Sequence, residues 1–266
     1  MDTNPRKPDL KNHQTDSSMP QKRSGKLILF GNLLGPLPIE EGKNHFSKAV
    51  QLEVALLDGI LAESEREARR FLSYFRENLK TEPHKMPLAL FHKKTPKGDL
   101  DFLFEPIRKG ETWGYVSDGG LPGIADPGHL LIGYAQKRRI AHEVHMGPSS
   151  ILWALILSGF PGNRFAFHGY LAKEPQKREE EIKAHIKESL RLNSVQIFIE
   201  APYRNEALLE SLIKTLPKGA ALALVHSLML PQQAAEVMSV SMWKKKLSSG
   251  QIEPLRDKPA VFLFKA

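Results

Sequence analysis

The chain has 266 residues, enough for one large domain or for two of about 100–150 residues each. With 41% hydrophobic and 26% charged residues it can bury a sizeable core, and its lack of cysteine excludes disulfides, thiolate catalysis, iron–sulfur clusters and cysteine-based zinc sites. Thirty-eight Lys and Arg against 30 Asp and Glu leave a formal net charge of +8, which favours polyanionic partners, RNA above all.

Residues 1–24 read as a flexible tail, rich in Asn, Asp, Pro, Lys, Gln and Ser and without apolar periodicity. They hold no continuous apolar stretch of the kind a secretory signal needs. The longest apolar run of the chain, residues 151–157, falls well short of the roughly 18 residues of a membrane-spanning helix. The expectation is a cytoplasmic protein with no membrane association.

From Lys26 onward apolar strands alternate with amphipathic helices, which predicts a parallel α/β sheet. Residues 27–30 form a short apolar run that ends in Gly31-Asn32, the pattern of a buried first strand. Residues 59–63 predict a second strand. Ser64 and Glu67 then have the spacing of a capping box, and Ala68, Phe71, Leu72, Phe75 and Leu79 recur on one helical face. Further strands are predicted at 87–91, 112–116 and 141–145. Gly and Pro at 158–162 mark either a domain boundary or an ordinary αβ loop, and the expected division is 25–160 and 161–266.

The second half alternates again. A strand at 164–169 precedes a charged helix at 175–192, whose Ile182, Ile186 and Leu190 are expected to form its buried stripe. A strand at 195–200, a helix at 203–216, strands at 220–226 and 236–240, a short helix at 242–247 and a last strand at 260–264 complete the reading.

Three segments carry chemistry. Residues 117–128 (SDGGLPGIADPG) lie between a predicted strand and a predicted helix, where open α/β sheets bind ligands. A tight structural turn would suffice there, but ordinary βα connections take about 2–6 residues, and this length favours a ligand loop. Residues 146–150 (MGPSS) suit either an anionic group at a helix start or a plain helix cap. Residues 200–204 (EAPYR) place Glu200 and Arg204 around a Pro turn after a buried strand, as a functional pair or a structural ion pair. The glycine-rich dinucleotide fingerprint, the phosphate-binding P-loop and Gly-x-Ser-x-Gly are absent. His142, Glu143 and His145 fall in a predicted strand, where neighbours face opposite ways, so no metal site is expected.

The segments SDGGLPGIADPG, HMGPSS, SGFPGNRFAFHGYLAK and IEAPYRN, in this order, resemble the tetrapyrrole methylase superfamily of S-adenosylmethionine-dependent methyltransferases. Within it the chain is most similar to the branch that methylates a ribose 2′-oxygen on a cytidine of small-subunit ribosomal RNA. The resemblance spans residues 26–265 and implies two α/β domains with the cofactor in the cleft between them, in a homodimer. It implies that Asp118, Gly119, Gly120, Leu121, Pro122, Ile124, Ala125 and Asp126 line the methionine end of the cofactor. Pro148, Ser149 and Ser150 would form its small-residue turn, Tyr170 and Leu171 its second-domain loop, and Pro259 and Ala260 would lie near the adenine. The branch's Glu-Asp-Thr-Arg run is Glu63-Ser64-Glu65-Arg66 here, and its Arg-Glu-Leu-Thr-Lys stretch is replaced by residues 226–233 (HSLMLPQQ).

The implied activity is methyl transfer from S-adenosylmethionine to ribosomal RNA or the small ribosomal subunit. A ribose hydroxyl is a poor nucleophile until its proton is drawn off. Glu200 or His168 is expected to assist that step, with Arg204 steering a phosphate or ordering Glu200. Two other readings remain at this point: a methyltransferase acting on a small molecule such as a tetrapyrrole, and a cofactor-binding regulator without catalysis.

Overall fold

The computed structural model describes residues 24–266, so the expected tail lies almost wholly outside the described residues. The first half contains β1 (Lys26–Phe30), α1 (Ile39–Asn44), α2 (Lys48–Ala55), β2 (Gly59–Ala62), α3 (Glu65–Ser73) and β3 (Leu88–Leu90). It continues through α4 (Leu100–Leu103), α5 (Glu105–Arg108), β4 (Thr112–Val116), α6 (Gly128–Lys137), β5 (Ala141–His145) and α7 (Ser150–Ser158). The five strands form one parallel sheet in the order β3-β2-β4-β1-β5.

Apolar residues on both parities of β1 explain its central place. Ile28 and Phe30 pack with Ile60, Phe71 and Phe75 on one face. Leu27 and Leu29 pack with Tyr115, Phe104 and Leu131 on the other. Ser64 caps α3 by accepting the Glu67 N–H at 3.4 Å, but the reciprocal half of the expected capping box does not form. The Glu67 carboxylate turns instead to Arg66 at 3.0 Å and Arg70 at 2.7 Å.

The second half contains β6 (Phe165–Phe167), α8 (Pro175–Leu192), β7 (Val195–Ile199), α9 (Asn205–Thr215), β8 (Ala221–His226), β9 (Ala234–Ser239), α10 (Val240–Ser248) and β10 (Ala260–Lys265). Its sheet has the order β6-β7-β10-β8-β9 and is mixed. β6 and β7 are parallel, β10 runs antiparallel between β7 and β8, and β8 and β9 form a hairpin. No helix separates β8 from β9, so their short link can join only antiparallel neighbours. α7 packs on this second sheet, its Ile151, Ala154 and Leu155 meeting Val225, Val261 and Leu263.

One expectation about α8 fails. Ile182 is fully buried, but Leu190 is 62% exposed, and Arg178 and Ser189 are buried instead. Strict four-residue spacing drifts by about 40° per step around a helix, so a straight buried stripe needs an occasional step of three. Ser189 supplies that step and donates its hydroxyl to the Ser194 carbonyl at 2.8 Å.

Because the first sheet is parallel, the loops after β1, β2, β4 and β5 emerge on one edge, facing the loops after β6 and β7. Close packing holds them together: a Cβ on Gly31 would come within 2.4 Å of the Gly147 nitrogen. Asn32 exchanges two backbone hydrogen bonds with Gly120, at 2.9 and 3.1 Å, and donates its side-chain amide to the Ser117 carbonyl at 3.0 Å. The loop after β4 is thereby tied to the loop after β1.

Candidate functional site

The loop 117–128 owes its shape to Asp126, which is 8% exposed. Its Oδ1 accepts from the Tyr115 hydroxyl at 3.1 Å and from the Gly123 and Gly128 N–H groups at 2.9 and 2.7 Å. Gly120 and Gly123 take positive φ, as does Ala125 at 66°, a conformation that costs a residue with a Cβ about 1–2 kcal/mol. Strain of this kind persists only where the surroundings impose it, and here Asp126 does so. Burial, with the Asp126 carboxylate beside it, pushes the Tyr115 phenol far above its ordinary range, so it stays a hydrogen-bond donor.

This loop divides a cleft into two compartments that share Asp118, Gly119, Ser150 and Ile199. The first, about 300 Å³, is polar and includes Glu63, Lys93, Asp118 and Tyr170 in its wall. The second, about 270 Å³, is mainly apolar, walled by Leu34, Pro202, Leu228, Pro259, Ala260 and Val261, with Glu200 and the shared Asp118 as its charged groups. Each is near the lower end of the ~300–1,000 Å³ typical of small-molecule sites, and they are joined.

Most of the residues singled out in the sequence meet here. Asp118, Gly119, Gly120, Leu121, Ile124, Ala125, Asp126, Ser149, Ser150 and Tyr170 line the first compartment, and Glu200, Pro259 and Ala260 the second. Ser149 also caps α7, accepting the Leu152 N–H at 3.4 Å, so both readings of that segment hold together. Pro122 and Pro148 belong to the two loops but to neither wall.

Three expected residues are placed elsewhere. Leu171 is buried in the core under α8 and α9. His168 faces away from the cleft, because strand alternation sends Phe167 to the cleft and the next side chain to α8. Its ring packs 3.7 Å from that of His185 and 5.2 Å from Phe198, and its Nε2 meets Gln196 Oε1 at 2.6 Å. Burial, and then His168, hold the His185 imidazole below the usual histidine range. Arg204 stands behind Glu200 rather than in the cleft: its Nε bonds Glu200 Oε1 at 3.0 Å, and Nη2 bonds the same oxygen.

Glu200 Oε1 also accepts the Ala201 N–H at 2.7 Å. Its Oε2 is buried with no partner, as is Arg204 Nη1. A buried carboxylate oxygen without a donor is costly, so a ligand donor in the second compartment is the physical complement of Oε2. Two hydroxyls of a ribose or the exocyclic amine of adenine carry such donors, and the apolar wall suits their ring system.

The sequence reading missed Lys93, Phe167, Leu34 and Leu228 in the walls, and gave no role to Glu63. Glu63 was open to the rule that singled out loop 117–128, since it too follows the carboxyl end of a parallel strand. Leu228 gave no such signal: Ser227 and Met229 around it adopt positive φ of 54° and 66° that their residue types do not announce.

No family model matches the chain. It is 30% identical over 192 residues to the ribosomal RNA small subunit methyltransferase I of Thermotoga maritima, covering 72% of this chain and 78% of that one. It is 35% identical over 127 residues to the protein of the same name from Mycoplasmopsis pulmonis, covering 48% of this chain and about half, 54%, of that one. Among solved structures it resembles the methyltransferase CobJ, with a TM-score of 0.62 at 16% identity, over 91% of this chain and 94% of that one. It resembles diphthine synthase equally, with a TM-score of 0.62 at 14% identity, over 90% of each chain. The structural likenesses establish the fold of the tetrapyrrole methylases, and the sequence match adds the branch: the chain belongs to the ribosomal RNA small subunit methyltransferase I family.

Proposed function

We propose that the protein transfers the methyl group of S-adenosylmethionine to a ribose 2′-oxygen of small-subunit ribosomal RNA. The observation that carries this reading is the paired cleft: an apolar compartment of nucleoside size opens, across Asp118, Gly119 and Ser150, into a polar one. When bound, the cofactor supplies an electrophilic methyl group on a sulfonium. The residues would hold the adenosine against Pro259, Ala260 and Leu228, with Glu200 Oε2 accepting one of its donors. Asp118 and the N–H groups of the loop 117–128 would hold the charged amino-acid end at the junction. The net charge of +8 suits a polyanionic acceptor.

Asp118→Ala is expected to weaken S-adenosylmethionine binding about 10- to 100-fold in calorimetry, the loss of one charge-assisted hydrogen bond. Undiminished affinity would remove the loop from the cofactor site. The acceptor is tested with labelled methyl donor and small subunits from cells lacking the protein. Label on a ribose of the RNA supports the reading, and label confined to a small molecule or a protein overturns it.

We take the two sheets as two domains, with the boundary near residue 160 and α7 docked from the first onto the second. Among the described residues no helix is long and apolar enough to cross a membrane, and a protein acting on ribosomal RNA is proposed to be cytoplasmic. A homodimer is proposed through the outer face of α7, where Leu152 is 44% and Ile156 76% exposed one turn apart. Sedimentation should give twice the chain mass for the wild type and the single mass for Ile156→Arg; a monomeric wild type excludes the dimer.

A further inference from the structure

The polar compartment contains a carboxylate with no assigned role. Glu63 is half-buried at the end of β2, and its Oε2 accepts the Asp118 N–H at 3.2 Å. Among the described residues its Oε1 has no hydrogen-bond partner and no cation lies within ion-pair distance. None of the other cleft carboxylates combines a free oxygen in the polar compartment with the absence of an ion-paired cation and of a proposed role in holding the cofactor. Asp126 is spent on Tyr115, Gly123 and Gly128, and Glu200 is held by Arg204 and the Ala201 N–H. Asp118 Oδ1 accepts the Ser64 hydroxyl at 2.7 Å. A group that takes up a proton during catalysis needs a free lone pair in the reacting space and no permanent cation beside it. Glu63 meets the first, and Lys93, the cation that its charge feels, is not ion-paired with it among the described residues.

We propose that Glu63 is the general base of the reaction, drawing the proton from the acceptor hydroxyl as that oxygen attacks the methyl carbon. The inference rests on the reading of the cleft as a methyl-transfer site acting on a hydroxyl. The oxygen–methyl bond forms while the sulfur–methyl bond breaks, and the bonding pair stays on sulfur, leaving S-adenosylhomocysteine. The hydroxyl proton passes to Glu63 and from there to solvent. Lys93, from the loop after β3, and Tyr170, from the loop after β6, stand together in the wall of this compartment, the Lys93 ammonium 5.0 Å from the Tyr170 ring centroid. An aromatic face and a cation at the mouth suit a base and a phosphate of one nucleotide.

The electrostatics agree with this role. Burial raises the Glu63 carboxyl above the usual range, helped by Asp126 and Asp118 and opposed by the Asp118 N–H and Lys93. Tyr115 and Tyr170 are the remaining titratable groups that feel its charge. Only the ionised carboxylate can accept a proton, so transfer should rise with pH along a limb displaced above the ordinary carboxylate range.

The test compares wild type with Glu63→Gln, close to isosteric, using labelled S-adenosylmethionine and unmethylated small subunits. The expected result is a fall in transfer of about 100-fold or more with loss of the acid limb, and S-adenosylhomocysteine affinity within about twofold of wild type. A carboxyl carbon titrating above the ordinary range in glutamate-labelled protein, and missing from Glu63→Gln, supports the assignment independently of turnover. A variant that keeps more than a tenth of the wild-type rate overturns it, as does a parallel loss of cofactor affinity. If the wild type labels an acceptor other than RNA, the ribosomal reading falls, and the same comparison on that acceptor decides Glu63 by itself.

Discussion

Asp126→Ala should lower stability by about 3 kcal/mol and loosen the wall of the polar compartment along with it. The substitution leaves the Tyr115 hydroxyl and the Gly123 and Gly128 N–H groups without their shared acceptor. Each buried donor left unpaired costs about 1–3 kcal/mol, and water entering from the cleft recovers part of the total. For a chain of this size that is a fall in Tm of roughly 6–12 °C in calorimetry. These bonds tie the turn that holds Ala125 at positive φ, so the loop should relax and the wall of the first compartment with it. Asp126→Asn keeps one acceptor oxygen and should lie between the two. A Tm within about 1 °C of wild type for the alanine variant would show that the loop holds its shape without the carboxylate.

Arg204→Ala should be as damaging for a different reason. The Glu200 side chain is 1% exposed, and the Arg204 guanidinium, 15% exposed, is its only cation within ion-pair distance among the described residues. Removing one partner of a buried pair leaves an uncompensated charge, at a cost of about 3–5 kcal/mol read from denaturant unfolding. Arg204→Lys should rescue little, because two guanidinium nitrogens converge on one carboxylate oxygen and an ammonium lacks that fork. The double variant Glu200→Gln/Arg204→Ala should be more stable than Arg204→Ala alone, since the orphan charge goes with the second change. If both variants lose the same stability, packing of the arginine stem outweighs the charge. Either outcome bears on the second compartment, because Arg204 binds Glu200 Oε1 and leaves Oε2 without a partner.

The elements that were read well have local causes. β4 and α8 have the bounds read from the sequence, since a buried strand bordered by turn residues and a helix opened by Pro175 are written within a few neighbouring positions. The loop 117–128 was legible for the same reason: a long Gly, Pro and Asp connection at a strand's carboxyl end has few structural uses. Errors arose where a distant partner decides. A position at a strand end places His168 in the cleft, yet one step of alternation sends its ring to His185, across the sheet from the compartment that Phe167 lines.

From the sequence alone came the alternation of strands and helices, the parallel first sheet, the cleft loop and the family likeness. All of these depend on which side chains are apolar and on where glycine and proline permit a turn. Tertiary structure decided that β10 slots between β7 and β8, that Arg204 backs Glu200 and that Glu63 joins Lys93 and Asp118 in the wall of the polar compartment. These are matters of register and facing between segments far apart in the chain. Local periodicity reports that a residue is buried, but the group it is buried against is chosen only when the sheets assemble.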